Sequence, residues 1–216
     1  MRARCENGRC LSVSLENVPS FAVALDLPIA TKAYGNISSD IAFGGVFYAL
    51  VDVDQVGLKI GPGYARQLAE AGIAIKADLE GQVTVSHPYF EGLNSIAYVM
   101  FRDRGKDGEV LTCTTLKPGR VDRSPCGTGS SANLACLHAR GEVGMGEARC
   151  SVSTIGGAFL AEVVAETEVG PYKAIIPRIT GQGWVYGRET LRQSPDDPFH
   201  AGFALSDTWG PQVGEI

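Results

Sequence analysis

Short runs of apolar and β-branched residues, separated by glycine, proline and polar residues, make up most of the chain. This pattern predicts strands. The predicted strands cover residues 11–15, 21–25, 95–101, 110–115, 149–153, 157–166 and 172–179, with turns at Gly156-Gly157 and Gly170-Pro171. A longer apolar and aromatic run over residues 41–53 predicts a further strand, in which Gly44-Gly45 indicates a bulge.

Two segments have helical patterns instead. Within residues 64–79, Leu68, Ala71 and Ile75 recur at helical spacing, which predicts one amphipathic helix. The run from Asn133 to Ala139 is mostly small or apolar on every face, which is typical of a helix that is buried all round. A sheet rolled around this central helix is the simplest arrangement that buries it, so we expect an α+β fold.

The segment Asp122-Arg-Ser-Pro-Cys126-Gly-Thr-Gly carries the strongest chemical signal, because it places a cysteine between a proline and two glycines where the buried helix begins. Free amide N–H groups and the positive end of the helix dipole gather at such a point, and both stabilise a thiolate or a bound carboxylate. A lone cysteine is more often simply buried. The preceding acid, and glycines that let a ligand approach the backbone, favour a functional site at Cys126.

Composition excludes several classes of function. The 216 residues are 44% apolar, enough for a sizeable core, and a net charge of −5 gives no basic surface for nucleic acid. No apolar stretch approaches the roughly 20 residues of a membrane span, so we expect a cytoplasmic protein. Six cysteines without a Cys-x-x-Cys pair and three scattered histidines make a metal site improbable. His87 is therefore predicted to be a structural residue at a strand end, and His138 a hydrogen-bonded histidine in the core.

The first ten residues predict a β-hairpin. Asn7-Gly8 suits a two-residue type I′ turn, which places Glu6 opposite Arg9 and Cys5 opposite Cys10. The two thiols could then meet. Because a cytoplasmic setting keeps thiols reduced, we expect this pairing to be incidental rather than a redox switch.

The cysteine segment resembles the second-cysteine motif of the proline racemase family, which includes proline racemases, 4-hydroxyproline 2-epimerases and trans-3-hydroxyproline dehydratases. The resemblance covers nearly the whole chain. Weaker matches fall in the family's order at Asn17-Val-Pro19, residues 40–45 and 47–52, His87-Pro88, residues 176–181, residues 196–199 and Gly202-Phe203.

The resemblance implies a diaminopimelate-epimerase-like lobe, with residues 16–180 as a second catalytic lobe and residues 1–15 and 181–216 as remnants of the first. It implies a small-molecule substrate, proline or hydroxyproline, and chemistry without a cofactor. A homodimer is left open. Racemisation removes the α-hydrogen from one face and returns it on the other, so two acid/base groups are needed.

The resemblance also assigns roles within the motif. Cys126 would be one of the two acid/base groups, and the amides of Gly127 and Thr128 would bind the substrate carboxylate. Asp122 would pair with the substrate ammonium. Without the resemblance, Asp122 suits a structural role, as a surface turn carboxylate or the partner of Arg123, as well as it suits a substrate-binding role.

Family members carry a first catalytic cysteine in a Cys-Gly-His type motif, which does not occur in this sequence. We therefore expect the chain to correspond to the C-terminal portion of a two-lobed enzyme. Two departures leave the substrate open: Val46 stands where many racemases and epimerases have Asn, and residues 93–96 include no His. A trans-3-hydroxyproline dehydratase, or a non-catalytic half that only binds, remains an alternative.

Overall fold

The structure is a computed structural model that describes residues 1–202. Phe203 and the rest of the predicted first-lobe range up to residue 216 lie outside the described residues. The chain divides into two units, Met1–Gly183 and Trp184–Ile216. In the second unit, residues 184–194 have no regular secondary structure and residues 195–201 form turns, for example where the N–H of His200 donates to the carbonyl of Asp197 over 3.0 Å.

The regular elements of the described residues lie in the first unit. The α-helices are α1 (Ala65–Leu79) and α2 (Gly127–Ala139), and two short 3-10 helices cover Val53–Val56 and Pro62–Tyr64. The strands are β1 (Arg2–Glu6), β2 (Arg9–Glu16), β3 (Ser20–Thr31), β4 (Gly35–Phe43), β5 (Phe47–Asp52), β6 (Ile96–Arg104), β7 (Val110–Leu116), β8 (Arg120–Val121), β9 (Ala148–Ser153), β10 (Ala158–Val169) and β11 (Tyr172–Gly181).

The strands form one mixed sheet that closes on itself. Its order is β1-β2-β11-β10-β9-β7-β6-β5-β4-β3, with β8 beside β7, and β3 pairs back to β11 through Phe21 with Ala174 and Ser20 with Ile175. The pairs β5/β6 and β7/β9 are parallel, and the other pairs are antiparallel. Helix α2 packs against β3, β4, β5, β10 and β11. The predicted sheet rolled around a central buried helix is thus confirmed.

Strand β5 explains why one stretch of the sequence is apolar throughout. Tyr48 and Leu50 pack in one cluster with Ala132 and Cys136 of α2. The alternate residues Phe47, Ala49 and Val51 pack in another cluster with Leu68, Ala71 and Ile75 of α1. Because successive side chains of a strand point to opposite faces, β5 is covered by a helix on each side.

The prediction of a single bulged strand over residues 41–53 is wrong. The segment folds into a hairpin, in which Phe43 at the end of β4 pairs with Phe47 at the start of β5. Gly45 takes a φ of 127°, a conformation that favours glycine. A Cβ on Gly44 would lie 2.1 Å from the backbone oxygen of Thr128. The two glycines therefore allow the tight turn between β4 and β5 to pack closely against the first turn of α2.

The other predicted strands and helices are confirmed within a few residues, except that β3 runs to Thr31, six residues beyond the predicted strand. The amphipathic helix becomes α1, with Leu68, Ala71 and Ile75 buried. In the first hairpin Cys5 lies opposite Cys10, and Asn7 and Gly8 both have positive φ, as a type I′ turn requires. Both thiols are free and exposed. Neither helix in the described part of the chain is long and apolar enough to cross a membrane.

Candidate active site at the start of the buried helix

Cys126 occupies the residue just before α2 in an unusual backbone conformation. Its φ is 65° and its ψ is 108°, although it carries a Cβ. Residues held in such sparsely populated conformations cost about 1–3 kcal/mol and cluster at functional sites. The carbonyl of Cys126 accepts the first helical hydrogen bond, from the N–H of Ser130 over 2.8 Å. Its own N–H donates to Ser124 Oγ over 3.1 Å, which fixes the residue from both sides.

The thiol of Cys126 is buried against hydroxyl groups. The residue is 8% exposed, and its Sγ lies 3.3 Å from the hydroxyl of Tyr48 and 3.8 Å from Thr128 Oγ1. Tyr48 in turn lies 2.7 Å from Thr128 Oγ1. Burial, with Cys126 adding to the effect, raises the pKa of Tyr48 above its usual range, so the hydroxyl keeps its proton.

Gly127 and Thr128 line a cavity of about 470 Å³. Both precede the first helical donor, Ser130, and so have no acceptor within the helix. Asn17, Ser124 and Gln182 are the polar side chains of its lining besides Thr128. The rest of the lining is apolar or glycine, and comprises Val13, Leu15, Phe159, Ile179, Gly181 and Gly183. The cavity therefore combines residues with free backbone donors and apolar surface.

Asn17 ties the Gly44 turn to the helix. Its side-chain amide donates to the carbonyl of Gly44 and to Ser131 Oγ, both over 2.9 Å. Ser131 Oγ donates to the carbonyl of Gly127 over 2.8 Å. This chain of hydrogen bonds holds the start of α2 against the turn between β4 and β5. Tyr48, the second residue of β5, thereby contacts the thiol.

Asp122 lies apart from the cavity that Gly127 and Thr128 line. Its Oδ1 accepts the N–H of Ser124 over 2.8 Å, and the residue lines a separate groove between α1 and the β7–β8 turn. The structure therefore brings Cys126, Gly127 and Thr128 together and uses Asp122 to shape the loop that leads to them. The ammonium-binding role of Asp122 stays a prediction.

Sequence reasoning did not assign roles to Asn17 or Tyr48. Both lie in segments that match the family, but a tyrosine in the apolar run of β5 is indistinguishable by pattern from a core aromatic residue. The usable signal at Asn17 was a polar residue at the end of a strand, two positions before a proline. Neither signal reveals which atom the side chain meets.

The two histidines expected to be structural make local contacts. His87 is buried among aromatic rings, with Phe43 at a centroid distance of 4.7 Å, and burial lowers the pKa of its imidazole. His138 is only half-buried, so its placement in the core was wrong; its Nδ1 lies 2.9 Å from the carbonyl of Val143. Across residues 1–202, no three His, Cys, Asp or Glu side chains converge to hold a metal ion.

The opposite end of α2 carries charges in pairs. Asp40 on β4 is 1% exposed, and its two oxygens lie 2.7 Å from Arg102 on β6 and 2.7 Å from Arg140 at the end of α2. Arg140 also donates to both oxygens of Asp26, over 2.7 and 2.8 Å. The hydrogen bonds to Asp26, and then to Asp40, raise the pKa of Arg140. This end is therefore a network of ion pairs.

A model of the proline racemase family matches residues 1–204. The chain belongs to the proline racemase family. Two curated members of the family are similar to it over 214 residues, 99% of this chain and 62% of each relative: 4-hydroxyproline 2-epimerase of Allorhizobium ampelinum, at 52% identity, and 4-hydroxyproline 2-epimerase 1 of Rhizobium rhizogenes, at 50%. The chain thus spans about 62% of the length of these relatives.

Two crystal structures from the family resemble this one. A hydroxyproline epimerase from Agrobacterium vitis with bound trans-4-OH-L-proline is 51% identical, with a TM-score of 0.84 over 99% of this chain and 62% of that one. A probable proline racemase from Agrobacterium radiobacter K84 with bound carbonate is 50% identical, with the same TM-score over 99% and 63%. The likeness confirms the expected α+β, diaminopimelate-epimerase-like fold.

Proposed function

We propose that this chain provides one catalytic lobe of an enzyme that inverts the α-carbon of hydroxyproline or proline without a cofactor. In this proposal residues 16–180 form the lobe, and Cys126 is one of the two acid/base groups. The observation that carries it is a strained cysteine at the start of a buried helix, between residues that line a cavity with free amides. The names of the relatives, all 4-hydroxyproline 2-epimerases, support the substrate class.

The substrate carboxylate is assigned to the amides of Gly127 and Thr128. Inversion passes through a state in which the negative charge of the α-carbon spreads onto the carboxylate. Donors fixed before the reaction stabilise that charge without having to reorganise. The first turn of α2 contains no acidic residue, so its positive end is left for a bound anion.

Cys126 then exchanges the proton on one face. Its thiolate takes the α-hydrogen, the Cα–H bond breaks as an S–H bond forms, and the electron pair of that bond moves onto the substrate. Return of a proton to the same face restores the starting isomer. Inversion needs a proton from the opposite face, which we assign to a group outside these 216 residues. The apolar wall at Phe159 and Ile179 suits a pyrrolidine ring.

Exchange of the α-hydrogen in D2O tests this assignment. Trans-4-hydroxy-L-proline and its 2-epimer are each incubated with the protein, and NMR follows the α-hydrogen while polarimetry follows inversion. We expect deuterium to enter one isomer with retained configuration, and this exchange to be lost in Cys126→Ser but kept in Cys150→Ser. Exchange that survives Cys126→Ser would overturn the assignment. Inversion at several turnovers per second would place the second acid/base group within the chain.

A further inference from the structure

Tyr48 is fully buried, yet its hydroxyl lies between the side chains of Cys126 and Thr128. The oxygen is 3.3 Å from Cys126 Sγ and 2.7 Å from Thr128 Oγ1, whereas Sγ and Thr128 Oγ1 are 3.8 Å apart. Tyr48 is therefore the nearer of the two hydroxyls to the sulfur, and at a distance suited to a hydrogen bond with sulfur.

The thiol has two side-chain hydrogen-bond contacts in the described structure, the hydroxyls of Tyr48 and Thr128, and that of Tyr48 is the nearer. The titratable side chains that pack in the same apolar cluster are Tyr48 from β5, Tyr98 from β6 and Cys136 from α2. The ring of Tyr98 is tilted by 42° against that of Tyr48 at a centroid distance of 5.6 Å, and Tyr98 makes no hydrogen bond to the sulfur in the described structure. Cys136 lies more than two helical turns away along α2.

The hydroxyl of Tyr48 can donate its hydrogen bond to either of two acceptors, Cys126 Sγ or Thr128 Oγ1. A thiolate has no proton to give, so beside it Tyr48 must donate to sulfur, and Thr128 can then donate to the tyrosine oxygen. A thiol can direct its own proton elsewhere, which lets Tyr48 donate to Thr128. Because burial raises the pKa of Tyr48, the hydroxyl stays protonated in both arrangements.

We propose that Tyr48 is a positioning residue that stabilises the thiolate of Cys126 by donating a hydrogen bond to it, and that turns to Thr128 when the sulfur is protonated. The inference rests on the acid/base role proposed for Cys126. No proton leaves Tyr48: the hydrogen taken by Cys126 remains on sulfur until it returns to a substrate or to water. A hydrogen bond to a charged acceptor is stronger than one to a neutral acceptor, so the bond favours the thiolate.

The pH dependence of Cys126 alkylation tests this inference without any substrate. The folded protein is treated with iodoacetamide across a pH series, and peptide mapping measures the fraction modified at Cys126 alone. In Tyr48→Phe we expect the midpoint of modification to rise by about one pH unit, a tenfold fall in the thiolate fraction below it. Because no turnover is measured, the result stands whether or not the chain proves to be an epimerase.

Tyr98→Phe is the matched control, since it removes the same hydroxyl from a neighbouring ring that does not contact the sulfur. It should leave the midpoint in place. 3-Fluorotyrosine in place of tyrosine, incorporated into Tyr98→Phe, makes the hydroxyl of residue 48 a stronger donor and should lower the midpoint, which decides the matter if Tyr48→Phe does not fold. An unchanged midpoint in folded Tyr48→Phe, equal shifts in the two tyrosine variants, or a midpoint that does not fall with 3-fluorotyrosine would each overturn the inference.

Discussion

The two ends of α2 satisfy their polar groups in opposite ways. At the C-terminal end, Asp40 and Asp26 each meet an arginine within 2.8 Å, and the network closes on itself. At the N-terminal end the groups are a thiol, hydroxyls and backbone amides, and Gly127 and Thr128 line a cavity. Both ends belong to one helix inside one sheet, yet one end carries paired charges and the other carries uncharged groups beside a cavity.

This contrast indicates that the two ends of α2 have different roles. A buried charge pair is costly to break, because removal of one partner leaves the other charge uncompensated. Open amides at a helix start are instead a ready site for an anion. The paired end therefore stabilises the barrel and holds α2 in place, while the open end is free to bind and react.

The largest effect should come from breaking the paired end. Asp40→Ala leaves Arg102 and Arg140 without their shared carboxylate, so the free energy of unfolding should fall by about 3–5 kcal/mol. Denaturant titration measures this loss. Asp52→Ala is the matched control, because Asp52 also bonds Arg102, over 2.6 Å, but is exposed. That change should cost less than about 1 kcal/mol; equal losses would mean that burial of Asp40 does not matter.

A smaller loss should follow from crowding the open end. The Cβ of Gly44→Ala would meet the backbone oxygen of Thr128, so we expect the free energy of unfolding to fall by about 1–3 kcal/mol. Gly127→Ala adds the same methyl group where nothing lies within 4 Å of it, and should change the free energy by less than about 1 kcal/mol. Thermal unfolding of both variants compares them. A more stable Gly44→Ala would contradict the tight contact between the turn and α2.

The smallest expected effect is on the stability of the protein at acidic pH. The hydrogen bond from Arg140 lowers the pKa of Asp26 below its ordinary value of 3.8. The stabilisation is complete above that value and is lost as the pH falls below it through the folded-state pKa. Melting temperatures of Asp26→Asn should therefore decline less steeply below about pH 4 than those of the unchanged protein. Asp54→Asn, at an exposed turn, should keep the original slope; a steeper decline in Asp26→Asn would reverse the assigned sign.

Sequence patterns predicted the local elements better than their partners. The buried helix was recognisable because residues 133–139 are apolar on every face, and α1 because its apolar positions recur at helical spacing. The hairpin at Gly44 was mistaken for a bulge, because the reason for its turn is Thr128, more than 80 residues away. Closure of the sheet through β3 and β11 likewise depends on long-range pairing that periodicity does not encode.

The candidate site was predictable to the same extent. The motif pointed to Cys126, Gly127 and Thr128 because it is contiguous and its helix start follows from local rules. Tyr48 and Asn17 come from other strands, so their contacts with the thiol and with the helix appear only when the sheet folds. Asp122 lies in the motif, but its hydrogen bond to Ser124 depends on the local turn, which the spacing alone does not define.

Binding of a planar anion tests the contrast between the two ends most directly. Pyrrole-2-carboxylate, which mimics the flattened α-carbon, is titrated into the 15N-labelled protein while amide signals are followed by NMR. The account predicts that the amides of Gly127 and Thr128 shift first, that those of Asp26 and Arg140 do not move, and that prior alkylation of Cys126 abolishes the shifts. Shifts centred on Asp26 and Arg140, or saturable binding that leaves Gly127 and Thr128 unmoved, would contradict it.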